Sequence, residues 1–322
     1  MRRILGLVAL AAVAAGPLGA GGPARRMDEL QIQAFTKMVR AVNAGDARAY
    51  AVLYAPDAVI TIQGGDVLRG RDAIEAHEVA LLREYPGARL GFHSVWQKGP
   101  TAVVHYAVSG RTTDGKPMGH EGLLFHRFLP SGRIAEERRY LDSLTPMAQL
   151  GALGSVPVRA IPAVPEEPEA HVAAAGTATR METANLARVR SSFAALDAGN
   201  EAAFLSGLAD GVVLDDMMRA EPAVGRKAVR TWFGSRTAAV PDSRSEITMA
   251  LAVGEFVLVE AVARGTLNGR LGPVSASGRP FVVHQAAIVR VRAGAIERIT
   301  LFTNGKELAQ AVGQWPPAPP EQ

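Results

Sequence analysis

The stretch Ala41-Val42-Asn43-Ala44-Gly45-Asp46 returns 154 residues later as Ala195-Leu196-Asp197-Ala198-Gly199-Asn200. Each version closes an apolar helical stripe. Phe35, Met38, Val39 and Val42 lead into the first at i, i+3, i+4, i+7, and Leu186, Val189, Phe193 and Leu196 into the second at i, i+3, i+7, i+10, each on one helix face. Glycine then stops the helix, because it accepts a left-handed backbone, and the Asp46 or Asn200 side chain caps the helix that follows.

Working outward, further pairs keep the same order. Gly70-Arg71-Asp72-Ala73-Ile74 matches Gly225-Arg226-Lys227-Ala228-Val229 at an offset of 155, as Pro86 matches Pro241. Gly132 with Gly294, Asp142 with Asn304 and Gly151 with Gly313 follow at 162. The jump in offset predicts a longer hairpin at Gly265–Gly278 in the second copy. Ala102–Ser109, Met118–Phe128 and Glu255–Arg264 are rich in valine and aromatics between turn residues and read as strands. Helices first and a sheet after is an α+β pattern, occurring twice.

Composition agrees with two soluble domains. The chain has 322 residues, 48% of them apolar and 20% charged, and no cysteine, which excludes disulfides, thiolate metal sites and a cysteine nucleophile. Aromatics at 6% are too thin for stacking single-stranded nucleic acid. The formal charge of +4 falls to +2 if Arg2 and Arg3 are removed, so nucleic acid is not an expected partner. No Gly-x-Ser-x-Gly elbow is present, and no lysine follows the glycines at phosphate-loop spacing.

Residues 1–24 read as a secretory signal peptide: Arg2-Arg3, an apolar run from Ile4 to Ala15, then Gly16-Pro17 and small residues. The run is short for a membrane span, and Gly21 stands where a lipoprotein would need cysteine, so no membrane anchor is expected after cleavage. The expected location is periplasmic or secreted, with the export route open. Residues 25–153 and 181–315 form the two domains, 154–180 a Pro/Ala-rich linker, and 316–322 a Pro-rich tail.

The element order, the Asn-Ala-Gly-Asp helix end, the Gly-Arg-Asp-Ala-Ile helix start and the closing Gln149-Leu150-Gly151 resemble the SnoaL-like branch of the nuclear-transport-factor-2-like superfamily. Arg264-Gly265-Thr266-Leu267-Asn268-Gly269 with Ala276-Ser277-Gly278-Arg279 is similar to the hairpin of SnoaL-like cyclases. The resemblance implies two cone-shaped domains, each a curved antiparallel sheet wrapped around helices, packed as an intramolecular pseudo-dimer. It also implies a pocket for a small apolar or cyclic molecule, worked without cofactor or metal.

The family's catalytic members, polyketide cyclases and ketosteroid isomerase, suggest positions to inspect. Isomerase-type sites use a tyrosine on the first helix, an aspartate base after the second and a protonated acid on a late strand. In the second copy these positions hold Ser192, Asp216 and Ala287, and in the first Met38, Gln63 and Leu124. The cyclase-type acid is replaced by Arg139 and Leu301. Asp216 is therefore the candidate base and Ser192 a weak donor, and the missing donors leave a developing oxyanion poorly stabilised. The flanking Met217 and Met218 suggest an apolar mouth.

Histidines gather in the first copy. His120 and His126 share strand parity but lie roughly 20 Å apart, so they do not grip one ion. His105 on the neighbouring strand is expected to approach His120 or Glu121, making a candidate polar binding patch with Asp142. His284 and Glu260 occupy the registers of Glu121 and His105 in the second copy. Arg138-Arg139 and the scattered arginines read as solvated faces. Two classes of function stay open: proton transfer (isomerisation, cyclisation or dehydration) in the second domain, and a non-catalytic binding or scaffold protein with degenerate sites. In either case the first copy is structural or holds a separate pocket.

Overall fold

The computed structural model describes residues 23–173, 176 and 178–315. The expected tail at 316–322 and all but the last two residues of the expected signal at 1–24 lie outside the described residues.

The first copy runs α1 (Pro23–Ala44), α2 (Ala47–Ala51), β1 (Tyr54–Ile62), β2 (Val67–Arg69), α3 (Arg71–Glu84), β3 (Arg89–Lys98), β4 (Thr101–Arg111), β5 (Pro117–Phe128), β6 (Ile134–Leu141) and α4 (Leu144–Gln149). A linker strand, β7 (Glu169–Ala173), follows. The second copy repeats the order as α5 (Arg180–Asp197), α6 (Glu201–Ser206), β8 (Leu208–Asp216), β9 (Ala223–Val224), α7 (Gly225–Ala239), β10 (Arg244–Val253), β11 (Phe256–Thr266), β12 (Pro280–Arg292), β13 (Ala295–Thr303) and α8 (Gly305–Ala311).

Both shared motifs have a mechanical role. Gly45 and Gly199 sit at φ of 69° and 62°, a region that disfavours any side chain with a Cβ. The carboxylate of Asp46 and the amide oxygen of Asn200 then accept from the backbone N–H of Ala49 and Ala203, capping α2 and α6. In the second motif the arginine ties helix to strand. Arg71 donates to the carbonyl of Tyr54, and Arg226 to that of Leu208, so each third helix is anchored to the start of its first long strand.

The sheets have corresponding strand orders, β2-β1-β6-β5-β4-β3 and β9-β8-β13-β12-β11-β10, with β7 added beside β3. The expected antiparallel sheet is in fact mixed. β1 pairs parallel with β6, β8 with β13, and β3 with β7. Parallel pairing needs a long crossover, which a helix and a three-stranded meander supply here. Part of the expected linker, β7, joins the first sheet. The longer connection of the second copy is present: residues 267–279 join β11 to β12, against 112–116 between β4 and β5.

Alternation along the strands separates two apolar layers. In the first copy Val104, Tyr106, Leu124 and Phe128 face the helices with Phe35 and Met38. Val103, Leu123, Phe125 and Tyr140 face outward and form one cluster with Leu258, Ala286, Ile288 and Phe302 of the second sheet. Charged contacts rim this shared cluster. Arg138 donates twice to Glu260 at 2.7 Å, and Lys98 donates to the Ala252 carbonyl at 3.0 Å.

Candidate functional site

A cavity of about 480 Å³ opens at the mouth of the second cone. Its walls come from the end of β8 and the loop after it (Asp216 to Glu221), from α7 (Trp232, Ser235, Arg236) and from the long hairpin (Arg270 to Pro273). The first copy closes the remaining side with Leu144, Thr145 and Ala148 of α4 and with linker residues Val156, Pro157 and Arg159. Gly272 lets the hairpin close: its φ is 58°, and a Cβ there would lie 2.6 Å from the Met218 carbonyl.

Asp216 is the buried acid of this cavity, only 3% exposed. Its Oδ1 accepts from the Met218 backbone N–H at 3.1 Å and its Oδ2 from the Trp232 indole N–H at 2.9 Å. Arg236 lines the same space one helical turn beyond Trp232, its guanidinium 5.8 Å from that ring centre. Arg159 is tied to Asp215 at 2.6 Å, on the strand face opposite Asp216.

Sheet register corrects one expectation. Asp216 pairs with Leu301 and Ile62 with Arg139, so the first-copy counterpart of Asp216 is Ile62 and not Gln63. Ser192 is buried on α5 and is not among the residues lining the cavity. The side-chain donor in contact with Asp216 is Trp232. Arg236 and Trp232 were absent from the sequence reading, although an arginine in the stripe Val229, Trp232, Phe233, Arg236, all buried, was a readable signal.

The interior of the first cone is filled differently. Glu137, fully buried, accepts from Tyr54 at 2.5 Å, is 2.9 Å from His126 and is ion-paired to Arg139. Arg139 also reaches Glu78 at 3.1 Å and the Tyr50 hydroxyl at 2.8 Å. Burial opposes the Glu137 charge, but Arg139 and the hydrogen bonds from His126 and Tyr54 hold it well below the usual carboxylate range. Arg139 is thus a core residue, and Arg138 bridges the two sheets; neither belongs to the solvated face that was expected. The second-copy positions of this network are all apolar: Phe204, Leu208, Phe233, Val289, Ile299 and Leu301.

The expected binding patch does not converge on one pocket. His105 meets Glu121 at 3.2 Å on the outer face of the first sheet, with Phe302 of the second copy against its ring. Burial lowers the His105 pKa. Burial also opposes the charge on Glu121, yet His105 and His93 hold that carboxylate well below its usual range. His93, His105 and Glu121 each bring a ligand atom within 4.8 Å of the others, a grouping able to hold a metal ion. His120 turns to the opposite face, 3.3 Å from the Tyr106 hydroxyl, and burial pulls its pKa down to about 4. Asp142 is buried at the start of α4, accepts from the Thr145 N–H at 3.3 Å, and is pushed up to about 7 by burial. In the second copy His284 bonds Glu307 at 2.7 Å and Glu260 bonds Arg138. None of these six lines the Asp216 cavity.

Among the described residues no helix is long and apolar enough to cross a membrane. The family model for the SnoaL-like domain matches residues 35–137 and 189–299. Solved structures similar to the chain include a SnoaL-like protein of Jannaschia sp. CCS1, 16% identical, with a TM-score of 0.40 over 44% of this chain and 99% of that one. A protein of Catenulispora acidiphila with a ketosteroid isomerase-like fold is 23% identical, with a TM-score of 0.36 over 40% of this chain and 97% of its own. An NTF2-like protein of Burkholderia xenovorans is 20% identical, with a TM-score of 0.33 over 40% and 96%. No curated protein sequence matches the chain.

Proposed function

The chain belongs to the SnoaL-like domain family in both of its copies, and from that premise we propose that it binds a small apolar or ring-bearing molecule in the second copy and moves a proton there. Asp216 is the base. The observation that carries this reading is a buried carboxylate lining a cavity large enough for a bicyclic guest, oriented by Trp232 and Met218. Each carboxylate oxygen keeps a further lone pair after these bonds, so a proton can be taken from carbon without breaking them. The apolar walls of Met217, Met218 and Leu271 favour such a guest over water.

The first copy is structural in this reading, since an ion network occupies the space a ligand would need. Its other role is to wall the working cavity with α4 and the linker. The contact of the two sheets through Phe125, Leu258 and their neighbours supports an internal pseudo-dimer. Export belongs to the same proposal and rests on residues 1–24. Recovery of a shortened chain from the periplasm or medium tests it.

A general carbon acid tests the chemistry. The chain should accelerate the base-promoted ring opening of 5-nitrobenzisoxazole, and Asp216→Asn should reduce that rate by about 10²-fold or more with folding intact. Equal rates for the two proteins would remove Asp216 from the role. A second reading, binding without turnover, is favoured by the absence of Ser192 from the cavity and by Ala287 at the late-strand acid position. It predicts saturable binding of aromatic probes with no acceleration by either protein.

A further inference from the structure

The second copy's cavity holds a buried cation whose natural partners are occupied. Arg236 is 6% exposed, and among the described residues its guanidinium makes no hydrogen bond and no ion pair. Its Nε is sealed from solvent with no acceptor. Two carboxylates act on it electrostatically, Asp216 and Asp197. Both are engaged elsewhere. Asp216 holds Met218 and Trp232, and Asp197 accepts from the Ser245 N–H at 2.7 Å and from its hydroxyl at 3.1 Å.

Burying an unpaired charge costs several kcal/mol unless something compensates it. The Trp232 face and the C-terminal end of α7 offset part of that cost. The fork geometry of the guanidinium, which suits a carboxylate in two parallel bonds, is left unused. The surroundings add to the positive field. Arg159, Arg219 and Arg270 also line the cavity, against Glu221 and Asp216 as its acids.

We infer that the cavity takes a carboxylate: a small apolar or ring-bearing acid whose anionic end sits on Arg236 and whose body rests against Met217, Met218 and Leu271. The inference rests on the reading of this cavity as the binding site and names the class of molecule it accepts. Nothing in the first copy corresponds to this arrangement. Helix register places Leu81 at the position of Arg236 and His77 at that of Trp232.

A matched pair of probes separates the two levels of the argument. 2-Naphthoate and 2-acetylnaphthalene share a ring system and differ in the charge of one substituent. Calorimetric titration of the full chain should show naphthoate binding at least about tenfold more tightly. Arg236→Gln should remove that preference while leaving 2-acetylnaphthalene within about threefold, and Arg236→Lys should restore part of it. For the unaltered chain, added salt should weaken naphthoate and leave the ketone unchanged, a readout independent of how any variant folds. Equal affinities in the unaltered chain, or a preference that survives Arg236→Gln, would overturn the inference and leave the pocket standing. Failure of both probes to bind would overturn the reading of the cavity itself.

Discussion

Trp232 on α7 and Asp216 at the end of β8 are joined by an indole N–H donating to a carboxylate oxygen at 2.9 Å, both residues being buried. The bond pins the third helix of the copy to the strand that carries the candidate base. In Trp232→Phe, Asp216 keeps one backbone donor and loses the other partner. A stability loss of about 1–3 kcal/mol is expected in chemical denaturation. A change below about 0.5 kcal/mol would show that the bond does not hold the acid in place.

Asp142 titrates near neutrality because burial favours its neutral form. Its folded pKa of about 7 lies above its ordinary 3.8. Between those values the native chain holds a proton that the unfolded chain releases. The stabilisation is therefore complete below pH ~4, declines as pH rises, and is gone above about pH 7, by an amount on the order of 4 kcal/mol. Asp142→Asn should remove this slope and leave the variant the more stable protein at pH 8. A parallel pH profile for the two proteins contradicts the assignment.

Removing one member of the buried network in the first copy should cost more than replacing all of it. Glu137→Ala strands Arg139 and should lose about 3–5 kcal/mol. The combined change Tyr50→Phe, Tyr54→Leu, Glu78→Phe, His126→Val, Glu137→Ile and Arg139→Leu copies the apolar set of the second domain. It should lose less than the single variant in urea melts. The reverse order would show that the two interiors are not interchangeable.

Arg138 and Glu260 join the two copies through two bonds of 2.7 Å, with Glu260 buried and Arg138 one-third exposed. A double-mutant cycle with Arg138→Met and Glu260→Gln should report a coupling of about 1–3 kcal/mol, reduced by partial solvent exposure of the arginine. Additive single effects would mean that the apolar cluster alone holds the sheets together.

Gly272→Ala should destabilise the chain by at least about 1 kcal/mol, since the residue lies at φ 58° with its Cβ position against Met218. Probe binding in the Asp216 cavity should weaken in parallel. Retained affinity would remove the hairpin from the cavity wall.

Part of this organisation is legible in the sequence. The Asn-Ala-Gly-Asp stretch and its twin act locally, through a left-handed glycine and a side-chain cap, so their meaning could be read from the residues themselves. Asp216 follows from comparing positions with isomerase-type sites. Ser192, matched by its helix position, is buried outside the lining of the Asp216 cavity, because a helix position says little about which side chain reaches a strand across the cone. Arg138-Arg139 and the scattered arginines read as solvated faces, whereas Arg139 and Arg236 are buried. One is compensated by Glu137 on its own strand, Glu78 on α3 and the Tyr50 hydroxyl on α2, and the other is left open to a cavity.

The sequence by itself determined the duplication, the order of elements, the helix stops and the longer second hairpin, because periodicity, glycine and capping residues act over a few neighbours. Only the tertiary structure decided that an ion network fills the first cone and that a cavity opens at the mouth of the second. It also set the parallel closure of each sheet, the partner of Asp216, and the part α4 and the linker play in walling the second copy's cavity. Those outcomes depend on groups far apart in the chain meeting in a medium of low polarity, where one unpaired charge or one missing side chain changes what the space can hold.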